Sequence, residues 1–510
     1  MDILAFALYF VAMIAIGIFF FFKSKVASDK DYFLGGRAMG PWVTAMSAQA
    51  SDMSAWLLMG LPGSILAFGF GQAWIGIGLA IGTAANWILV AKRLRKFSKA
   101  SGDAITLPQY LSNRFASKSP VLSIICAIVF LVCFTIYVAS AFVAGSDVFT
   151  TLVPSLAPST AMIIFAVIVV LYTFLGGFNA VCWTDFFQGL LMLGALLIVP
   201  IVIGFTRTLD PAALTTIYTG PNGEQFEFVA NFFSASWKDI LSGLGWGLGY
   251  FGMPHIIVRF MAIEKPSMVK KSATVAIIWV ILSLGAAVVI AYLGRMFVYS
   301  NGTDLSAVLL AEGKQSLIFV ELARDVFPKF IAGLLLAAII AASMSTADSQ
   351  LLVAASSFTS DLYKPLIRKQ ASNKETLWVG RIIVLVIAVV AYFIASSEGK
   401  AAQAIMNLVS NAWGIFGAAF GPVVLYSLFW KRFTYKGAVA GIVVGAVVDM
   451  AWLWLPVSGS TLTAITGIYE IIPGFIAGGI VAAIVALCDK APSGEVLAIY
   501  EKATDNSIDD

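Results

Sequence analysis

The sequence predicts an all-α polytopic membrane protein, and three observations support this fold class. First, 60% of the 510 residues are hydrophobic, only 12% are charged, and the mean hydropathy is +0.92, a composition that ordinary soluble proteins do not have. Second, apolar runs of about 20 residues recur along the chain, each long enough to cross the ~30 Å hydrocarbon core of a bilayer. Third, lysines and arginines gather in alternate loops, as expected for a chain that crosses a membrane repeatedly.

Breaks between the apolar runs divide the chain into about thirteen predicted transmembrane helices. Their approximate ranges are residues 3–23, 42–67, 72–91, 121–147, 159–177, 185–206, 240–261, 273–296, 330–357, 379–396, 402–430, 437–456 and 467–488. The first run lacks a basic leader and a small-residue cleavage site, which predicts a retained helix rather than a signal peptide. A polar stretch near 299–330 is predicted to carry an amphipathic helix from Leu317 to Phe327. No stretch reads as a separate soluble domain, and a formal charge of +4 is too small to indicate a nucleic-acid partner.

The positive charges predict an orientation, because cytoplasmic loops carry an excess of lysine and arginine. With the N-terminus outside and the C-terminus inside, 25 of the 32 lysines and arginines lie at the inner face. The densest cluster, Lys92 to Lys99, is among them. Shifting the count by one helix would mix the two groups, so the pattern predicts an odd number of spans.

The segment Ser47 to Gly63 places a carboxylate, three serines and a proline inside the second predicted span. An aspartate at the centre of a spanning helix costs about 2.5–3.5 kcal/mol, so such residues usually face a cavity and have a function there. Small residues and Pro62 weaken the helix around Asp52. The segment therefore predicts a broken helix whose free carbonyl groups bind a cation or a solute, as in a transporter.

A second interrupted segment runs from Gly243 to His255, with five glycines in ten residues followed by Pro254. Each glycine costs about 1 kcal/mol relative to alanine in a helix interior, so this segment is not expected to form a stable α-helix. It predicts unwinding, with Trp246 and Tyr250 on one face. The alternative is tight helix packing, which small residues also serve in membranes.

A third polar segment, Ala341 to Gln350, offers three serines, Thr346 and Asp348 after an apolar run. Hydroxyl, carboxylate and backbone oxygens are the ligands that a hard monovalent cation needs in place of water. The alternative for any single hydroxyl is a bond to the carbonyl one turn back in its own helix.

Three other polar residues within predicted spans indicate a function less clearly. Asp185 opens the sixth predicted span, where it either favours a helix N-terminus through the dipole or takes part in a cation site. Arg259 lies about one turn from the inner boundary and is predicted to snorkel to the interface. His255 is predicted to be a packed histidine rather than a proton relay.

The two interrupted helices open two blocks of five spans, residues 42–206 and 236–430. Five is odd, so the second block enters the membrane in the opposite sense, which predicts a five-plus-five inverted repeat with a site at the membrane midplane. The remaining parts are predicted as a first peripheral helix and inner loop (1–41), two peripheral helices (431–488) and a cytoplasmic tail (489–510).

Several motifs resemble the solute:sodium symporter family, and most closely its bacterial sodium/proline symporters. They are Tyr32-Phe-Leu-Gly-Gly-Arg37, the block Ser51 to Gly63, Thr106-Leu-Pro-Gln-Tyr110, Phe134-Thr-Ile-Tyr137, Tyr172-Thr-Phe-Leu-Gly-Gly-Phe178, Gly245 to Gly252, Pro254-His255 and Met344-Ser-Thr346. The resemblance covers nearly the whole chain in order. It implies a LeuT-like core of inverted repeats with discontinuous helices, in the inner (plasma) membrane of a bacterium.

The resemblance also implies site residues. It places a sodium ion on the backbone oxygens of Ala50, Met53 and Ala342 and the hydroxyls of Ser345 and Thr346, with Asp52 beside them. It places a second sodium, found in some relatives, near Asp185, Ser345, Asp348 and Ser349. It places the solute against Ser54, Ala55, Trp56, Tyr137, Trp246, Tyr250 and Pro254.

The function that these expectations support is sodium-coupled uptake of L-proline by alternating access, in contact with membrane lipid and without enzymatic chemistry. The alternatives are a sodium-coupled symporter for another amino acid, a sugar or a carboxylate, a channel, or a transporter-like sensor. Proton coupling competes with sodium coupling. A channel would need a continuous polar pore, whereas the polar residues here gather at one depth between apolar flanks.

Overall fold

The computed structural model describes residues 2–23, 29–175, 177–398, 404–457 and 459–505. Gly176 of the motif 172–178, the start of the predicted span 402–430 and the end of the predicted tail 489–510 lie outside the described residues. Within the described ranges most of the chain is helical, as the long apolar runs predict.

Ten helices make up the chain as far as residue 206. They are α1 (Asp2–Lys23), α2 (Asp29–Leu34), α3 (Pro41–Met53), α4 (Gly60–Phe68), α5 (Ala73–Ala85), α6 (Lys92–Ala100), α7 (Leu107–Arg114), α8 (Val121–Leu152), α9 (Pro158–Leu175) and α10 (Phe178–Thr206). Short 3₁₀ turns cover Gly35–Arg37 and Ala55–Leu57, and a π-helical segment (Asn86–Ala91) joins α5 to α6 without a gap.

Twelve helices follow. They are α11 (Trp237–Gly245), α12 (Pro254–Ala262), α13 (Val269–Arg295), α14 (Leu305–Ala311), α15 (Ile318–Val326), α16 (Lys329–Ser357), α17 (Asn373–Glu398), α18 (Ala404–Phe429), α19 (Tyr435–Trp454), α20 (Leu462–Thr466), α21 (Ile471–Cys488) and α22 (Gly494–Thr504). Further 3₁₀ segments cover Pro211–Leu214, Phe232–Ser234, Trp246–Phe251, Pro266–Met268 and Gln315–Leu317, and Phe358–Ile367 continues α16 as a π-helix. Two antiparallel strand pairs lie in loops: Tyr218–Thr219 with Gln225–Phe226, and Pro456–Val457 with Ser460–Thr461.

In the described part of the chain, nine helices are long and apolar enough to span a membrane, and Asp2–Ile16, Ala55–Phe68 and Pro158–Leu171 are shorter apolar helices. The interrupted segment 237–262 adds a further crossing made of short pieces, so the observed elements are consistent with thirteen spans. The predicted amphipathic helix at 317–327 is confirmed as α15.

One predicted boundary is wrong in a way that matters for the site. The sixth span was expected to begin at Asp185, but α10 begins at Phe178. Asp185 therefore lies two turns inside the helix, completely buried. An explanation through the helix N-terminal dipole no longer applies, because that effect fades within the first turn.

The two interrupted helices lie at the centre of the bundle. α3 packs against α10, α12, α13 and α16, while the 3₁₀ segment Trp246–Phe251 packs against α5 and α18. Residues on α1 and α17 leave large hydrophobic side chains exposed, as expected where a helix faces lipid. Several buried charged residues lie on the helices that meet here: Asp52 on α3, Asp185 on α10, Arg259 on α12 and Asp348 on α16.

Candidate functional site

The first interruption separates α3 from α4 at Ser54. This residue has φ 36° and ψ −175°, a conformation that no helix contains, and its hydroxyl accepts a hydrogen bond from the backbone N–H of Trp56 at 3.2 Å. Because α3 ends at Met53, its last four carbonyl groups have no partner within the helix. These are the carbonyls of residues 50–53, which the sequence predicts as freed oxygens.

The second interruption separates α11 from α12 by six residues of 3₁₀ helix, Trp246–Phe251. Here the glycines allow close backbone contact. A Cβ on Gly247 would lie 2.4 Å from the carbonyl oxygen of Gly78, and one on Gly249 would lie 2.0 Å from Nε1 of Trp413. The segment therefore departs from the α-helical form as predicted, although by tightening into a 3₁₀ helix rather than by unwinding. It is also tightly packed, as the alternative predicted.

Side chains join the two interruptions directly. The Tyr250 hydroxyl donates to Oδ2 of Asp52 at 2.6 Å. The rings of Trp56 and Trp246 stack with their centroids 5.5 Å apart. From α8, the Tyr137 hydroxyl donates to the backbone oxygen of Asp52 at 3.3 Å.

The residues predicted to hold the first sodium ion lie close together. The Ser345 hydroxyl on α16 is 2.8 Å from the carbonyl oxygen of Ala50 and 3.2 Å from that of Ala342. Oγ1 of Thr346 is buried and has no hydrogen-bond partner among the described residues. A buried hydroxyl without a partner, next to carbonyls from a helix end, fits a dehydrated monovalent cation. Met53 is the last residue of α3.

The residues predicted for a second sodium ion are arranged differently from the expectation. Arg259 does not snorkel; its side chain is 1% exposed and forms a buried ion pair with Asp185 at 3.0 Å. The reason is that Asp185 and two serines offer the guanidinium better partners than the interface does. Arg259 donates to Ser47 at 2.9 Å and to Ser349 at 2.5 Å, so Asp185 and Ser349 already have a cation between them. Asp348, the third residue of the predicted set, has no such contact.

The residues predicted to contact the solute are all buried and surround the two interruptions. Ser54, Ala55 and Trp56 lie at the first, Trp246, Tyr250 and Pro254 at the second, and Tyr137 on α8. His255, as predicted, is a packed residue, with its ring against those of Phe134 and Tyr137.

A cavity of about 500 Å³ borders Trp246 and is also lined by Gln72, Asp239, Tyr469 and Glu470. Tyr469, which the sequence does not predict as a site residue, stacks on Trp246 with the ring centroids 5.1 Å apart and donates to the carbonyl oxygen of Ser410 at 2.7 Å. Nothing in the sequence links this residue to the centre, because it follows a loop between peripheral helices.

Hydrogen bonds join the residues just before α3 to the residues at the end of α12. The backbone N–H of Met39 donates to Ala262 at 3.3 Å and the N–H of Glu264 donates to Met39 at 3.1 Å. Arg37 donates to the carbonyl oxygen of Met261 and pairs with Asp103 through Nε at 2.8 Å. The site is therefore closed on the side of residues 37–40 and borders a cavity on the other.

Fold and site together define a polytopic membrane transporter with discontinuous central helices. The model of the Sodium:solute symporter family matches residues 32–445. Sodium/proline symporters of Salmonella typhimurium and Escherichia coli are each 43% identical to the chain over 98% of its length and 96% of theirs. A high-affinity proline transporter of Bacillus subtilis is 42% identical, with 95% and 97% coverage. The chain belongs to the sodium:solute symporter family.

Solved structures support the fold. A Na⁺-coupled sialic acid symporter superimposes with a TM-score of 0.73 at 21% sequence identity, covering 96% of this chain and 98% of that one. A nucleobase-cation-symport-1 family transporter gives a TM-score of 0.53 at 13% identity. At these identities the likeness concerns the fold alone. The protein is thus a multi-pass protein of the plasma membrane with a five-plus-five inverted-repeat core.

Proposed function

We propose that this protein is a sodium-coupled symporter that takes up L-proline. The observation that carries the proposal is the meeting of two helix regions at one buried oxygen cluster, because the Ser345 hydroxyl contacts the carbonyls of Ala50 and Ala342. The next residue, Thr346, has a buried hydroxyl without a hydrogen-bond partner in the described part of the chain. Its relatives named as sodium/proline symporters, at 42–43% identity along nearly the full chain, support both the ion and the solute. We assign transport rather than catalysis, because buried helix oxygens and aromatic walls suit a solute that is released unchanged.

Sodium would act by joining the two repeats. An ion on the carbonyls of Ala50 and Met53 and the hydroxyls of Ser345 and Thr346 would fix the end of α3 against α16. The order of this helix end would then place Asp52, and through it Tyr250, for the solute. Coupling of this kind is reciprocal, so proline should tighten sodium binding by the factor by which sodium tightens proline binding.

The solute would lie between the aromatic residues of the two interruptions. Trp56, Tyr137, Trp246 and Tyr250 offer apolar walls for a pyrrolidine ring. The amides freed at the two interruptions would receive its carboxylate, as helix N-termini do for anions. In this structure Trp56 and Trp246 stack on each other, so the solute must separate the two rings when it binds.

Alternating access would close the end of the site that is now open and open the end that is now closed. We propose that the N-terminus lies outside and the C-terminus inside, which places the cavity bordered by Trp246 on the outer side and the Met39–Ala262 contact on the inner side. Each sodium ion that enters gains about 2.3 kcal/mol per 100 mV of membrane potential, in addition to its concentration gradient.

Tracer uptake into proteoliposomes containing the full chain tests the proposal. Radioactive proline should accumulate when sodium is outside, and should not accumulate when choline replaces sodium or when only a pH gradient is imposed. Excess unlabelled proline should compete, while unlabelled sialic acid and glucose should not. Uptake driven by the pH gradient alone, or equal competition by an unrelated solute, would contradict the proposal.

A further inference from the structure

A pair of acidic side chains lies between the peripheral helices α19 and α21 and the core helix α18, beside the cavity that borders Trp246. Asp449 on α19 is completely buried, and Glu470, the residue before α21, is 2% exposed. Oδ2 of Asp449 and Cγ of Glu470 lie 3.1 Å and 3.4 Å from the position that a Cβ on Gly414 of α18 would occupy. The two side chains therefore meet at one point on the surface of α18, and neither belongs to the proposed sodium or solute site.

The acidic pair has few hydrogen-bond partners. Both carboxylate oxygens of Asp449 are buried and have no partner among the described residues. Oε2 of Glu470 accepts a hydrogen bond from the Thr463 hydroxyl at 3.1 Å. Neither carboxylate forms an ion pair with a residue in the described ranges. Two buried negative charges lose their hydration and repel each other, so the pair is strongly disfavoured as two carboxylates.

Other titratable groups near the acidic pair do not balance its charge. Among the described residues, those that face the pair or the cavity beside it are Cys133 on α8, Tyr469, and Lys238 and Asp239 on α11. Cysteine and tyrosine are ordinarily neutral near pH 7. Nζ of Lys238 lies 3.9 Å from the position of a Cβ on Gly467, in the loop before α21, and it makes no ion pair with Glu470.

Close packing around the acidic pair decides what it can bind. A Cβ on Gly474 would lie 2.7 Å from Cβ of Ala418 and 3.0 Å from Cβ of Asp449, and one on Gly445 would lie 2.2 Å from the carbonyl oxygen of Ala418. Helices α18, α19 and α21 are thus in close backbone contact here. A hard metal cation takes about six or more oxygen ligands, whereas a proton shared by two carboxyl groups needs no others. The ligand that fits is a proton.

The acidic pair is next in the chain to two residues that hold Trp246. Trp413, which precedes Gly414, donates from Nε1 to the carbonyl oxygen of Trp246 at 2.8 Å. Tyr469, which precedes Glu470, stacks on the ring of Trp246 with the centroids 5.1 Å apart. A shift of Glu470 would therefore displace Tyr469 from Trp246, which is one of the residues proposed to form the wall of the solute pocket.

We propose that Asp449 and Glu470 form a proton-binding site that regulates the affinity for the solute. With one proton shared, the pair carries a single negative charge and Glu470 stays against α18. Loss of this proton to the cavity, which Glu470 lines, leaves two carboxylates that repel each other. Glu470 then moves away, and Tyr469 no longer supports Trp246. The inference rests on the proposed binding of proline at the two interruptions and goes beyond it, because the proton is not carried across the membrane.

Infrared spectroscopy of the purified full chain without proline tests proton binding. The wild type should show a protonated-carboxyl component, missing from the Asp449→Asn/Glu470→Gln double variant, that is lost between about pH 6 and about pH 9. In either single variant the loss should move to lower pH, because the remaining carboxyl group has no negative neighbour. Asp239→Asn is the matched control, since this carboxylate lines the same cavity but is exposed and bonded to Ser236; it should keep the wild-type component.

Equilibrium dialysis with radioactive proline at saturating sodium tests the link to the solute pocket. The Kd of the wild type should rise about fivefold from about pH 6 to about pH 9, which is at the lower end of typical coupling between two sites. The Kd of the double variant should not change with pH. Tyr469→Ala should also lose the pH dependence of the Kd while it keeps the infrared component. By reciprocity, proline should raise the pH at which that component is lost.

The two measurements separate this inference from the proposed function. If the wild type and the double variant have the same infrared spectra at every pH, the proton site is overturned. Loss of the component when choline replaces sodium would mean that the acidic pair binds the metal cation, and would overturn it too. A component with a pH-independent Kd would overturn the regulation. A wild type that binds no proline in sodium would overturn the proposed function, while the infrared component still decides whether the pair binds a proton. Far-ultraviolet circular dichroism and unfolding temperature confirm that each variant is folded.

Discussion

The two interrupted helices lose α-helical structure in different ways. Between α3 and α4 the chain leaves the helix at a single residue, Ser54, through a positive φ. Between α11 and α12 no residue has a positive φ; six residues tighten into a 3₁₀ helix that glycines allow to press against α5 and α18. The first interruption combines a residue of positive φ with one short 3₁₀ turn, Ala55–Leu57. The second combines a longer 3₁₀ segment with an extended residue, Met253, before α12 begins.

Under the proposed function, the first interruption would supply carbonyl oxygens to the ion, and the second would supply part of the aromatic wall around the solute. The abrupt end of α3 leaves carbonyl oxygens unpaired over one turn, which suits a cation. The 3₁₀ segment continues to pair its backbone over shorter loops, so it offers fewer oxygens and instead holds Trp246 and Tyr250 against Trp413. Sodium binding should therefore depend on the first interruption, and the shape of the solute pocket on the second.

The largest effect is expected from adding a methyl group to the second interruption. Gly249→Ala would place Cβ 2.0 Å from Nε1 of Trp413, which donates to the carbonyl of Trp246. Overpacking of this kind typically costs about 1–3 kcal/mol, and here it should also abolish proline uptake. Unfolding temperature and uptake measure it. Gly285→Ala on α13, where a Cβ meets no atom within 4 Å, is the control and should leave both unchanged or slightly raise stability.

The next effect concerns the ion at the first interruption. Ser345→Ala and Thr346→Ala should each raise the sodium concentration for half-maximal uptake by about tenfold or more, since a contact to a charged group contributes about 1.5–3 kcal/mol. The maximal rate at saturating sodium should fall less. Ser343→Ala removes a hydroxyl that is bonded to Ile339 in its own helix and should not shift the sodium dependence. An equal rise in the half-maximal sodium concentration in all three variants would contradict the assignment of Ser345 and Thr346 as sodium ligands.

A smaller effect tests the contact between the two interruptions. Tyr250→Phe removes the donor to Asp52, and Asp52→Asn removes the charge that accepts it. Each should raise the sodium and proline concentrations for half-maximal uptake by about three- to tenfold. The double variant should be little worse than either single variant, because residues in contact interact by about 0.5–3 kcal/mol. Additive losses in this double-mutant cycle would show that the two interruptions act independently.

The smallest effect is expected at the closed end of the site. Burial alone raises the pKa of the Asp103 carboxyl, but the hydrogen bond from Lys30 and the charges of Arg37, Lys30 and Lys99 outweigh it, so the pKa lies below its ordinary value. The stabilisation from this carboxylate is then present above the unfolded pKa of about 4 and is lost as the pH falls through the lower folded pKa. Between pH 5 and pH 8, as an estimate from the same linkage, stability should not change through this group.

Asp103→Asn tests that contact at neutral pH. Because the carboxylate is only partly buried, the loss in the free energy of unfolding should stay below about 1 kcal/mol. Glu312→Gln, which removes an exposed pair with Lys314, is the control and should have no measurable effect. If Asp103→Asn lowered the free energy of unfolding several times more than this, the closed end would contribute as much to stability as the interruptions do.

Much of the site could be predicted because its signals are local. Glycine, proline and serine within an apolar run mark an interrupted helix whatever surrounds it, and Asp52 inside a span is costly in any fold. The contact between Ala50 and Ser345 needed the family resemblance as well, since the two residues lie far apart in the chain. Resemblance could not predict the partner of Arg259, whose position near a helix end favoured the interface until Asp185 was seen to lie inside α10.

The sequence by itself determined the membrane environment, the rough limits of most spans and the two interruptions, because hydropathy and backbone propensity act over one helix at a time. Only the tertiary structure decided which polar groups share a cavity. The ion pair of Arg259 with Asp185 and the stacking of Tyr469 on Trp246 depend on how separate helices are rotated about their axes. Helix rotation is set by packing against several neighbours at once, and no single stretch of sequence contains that information.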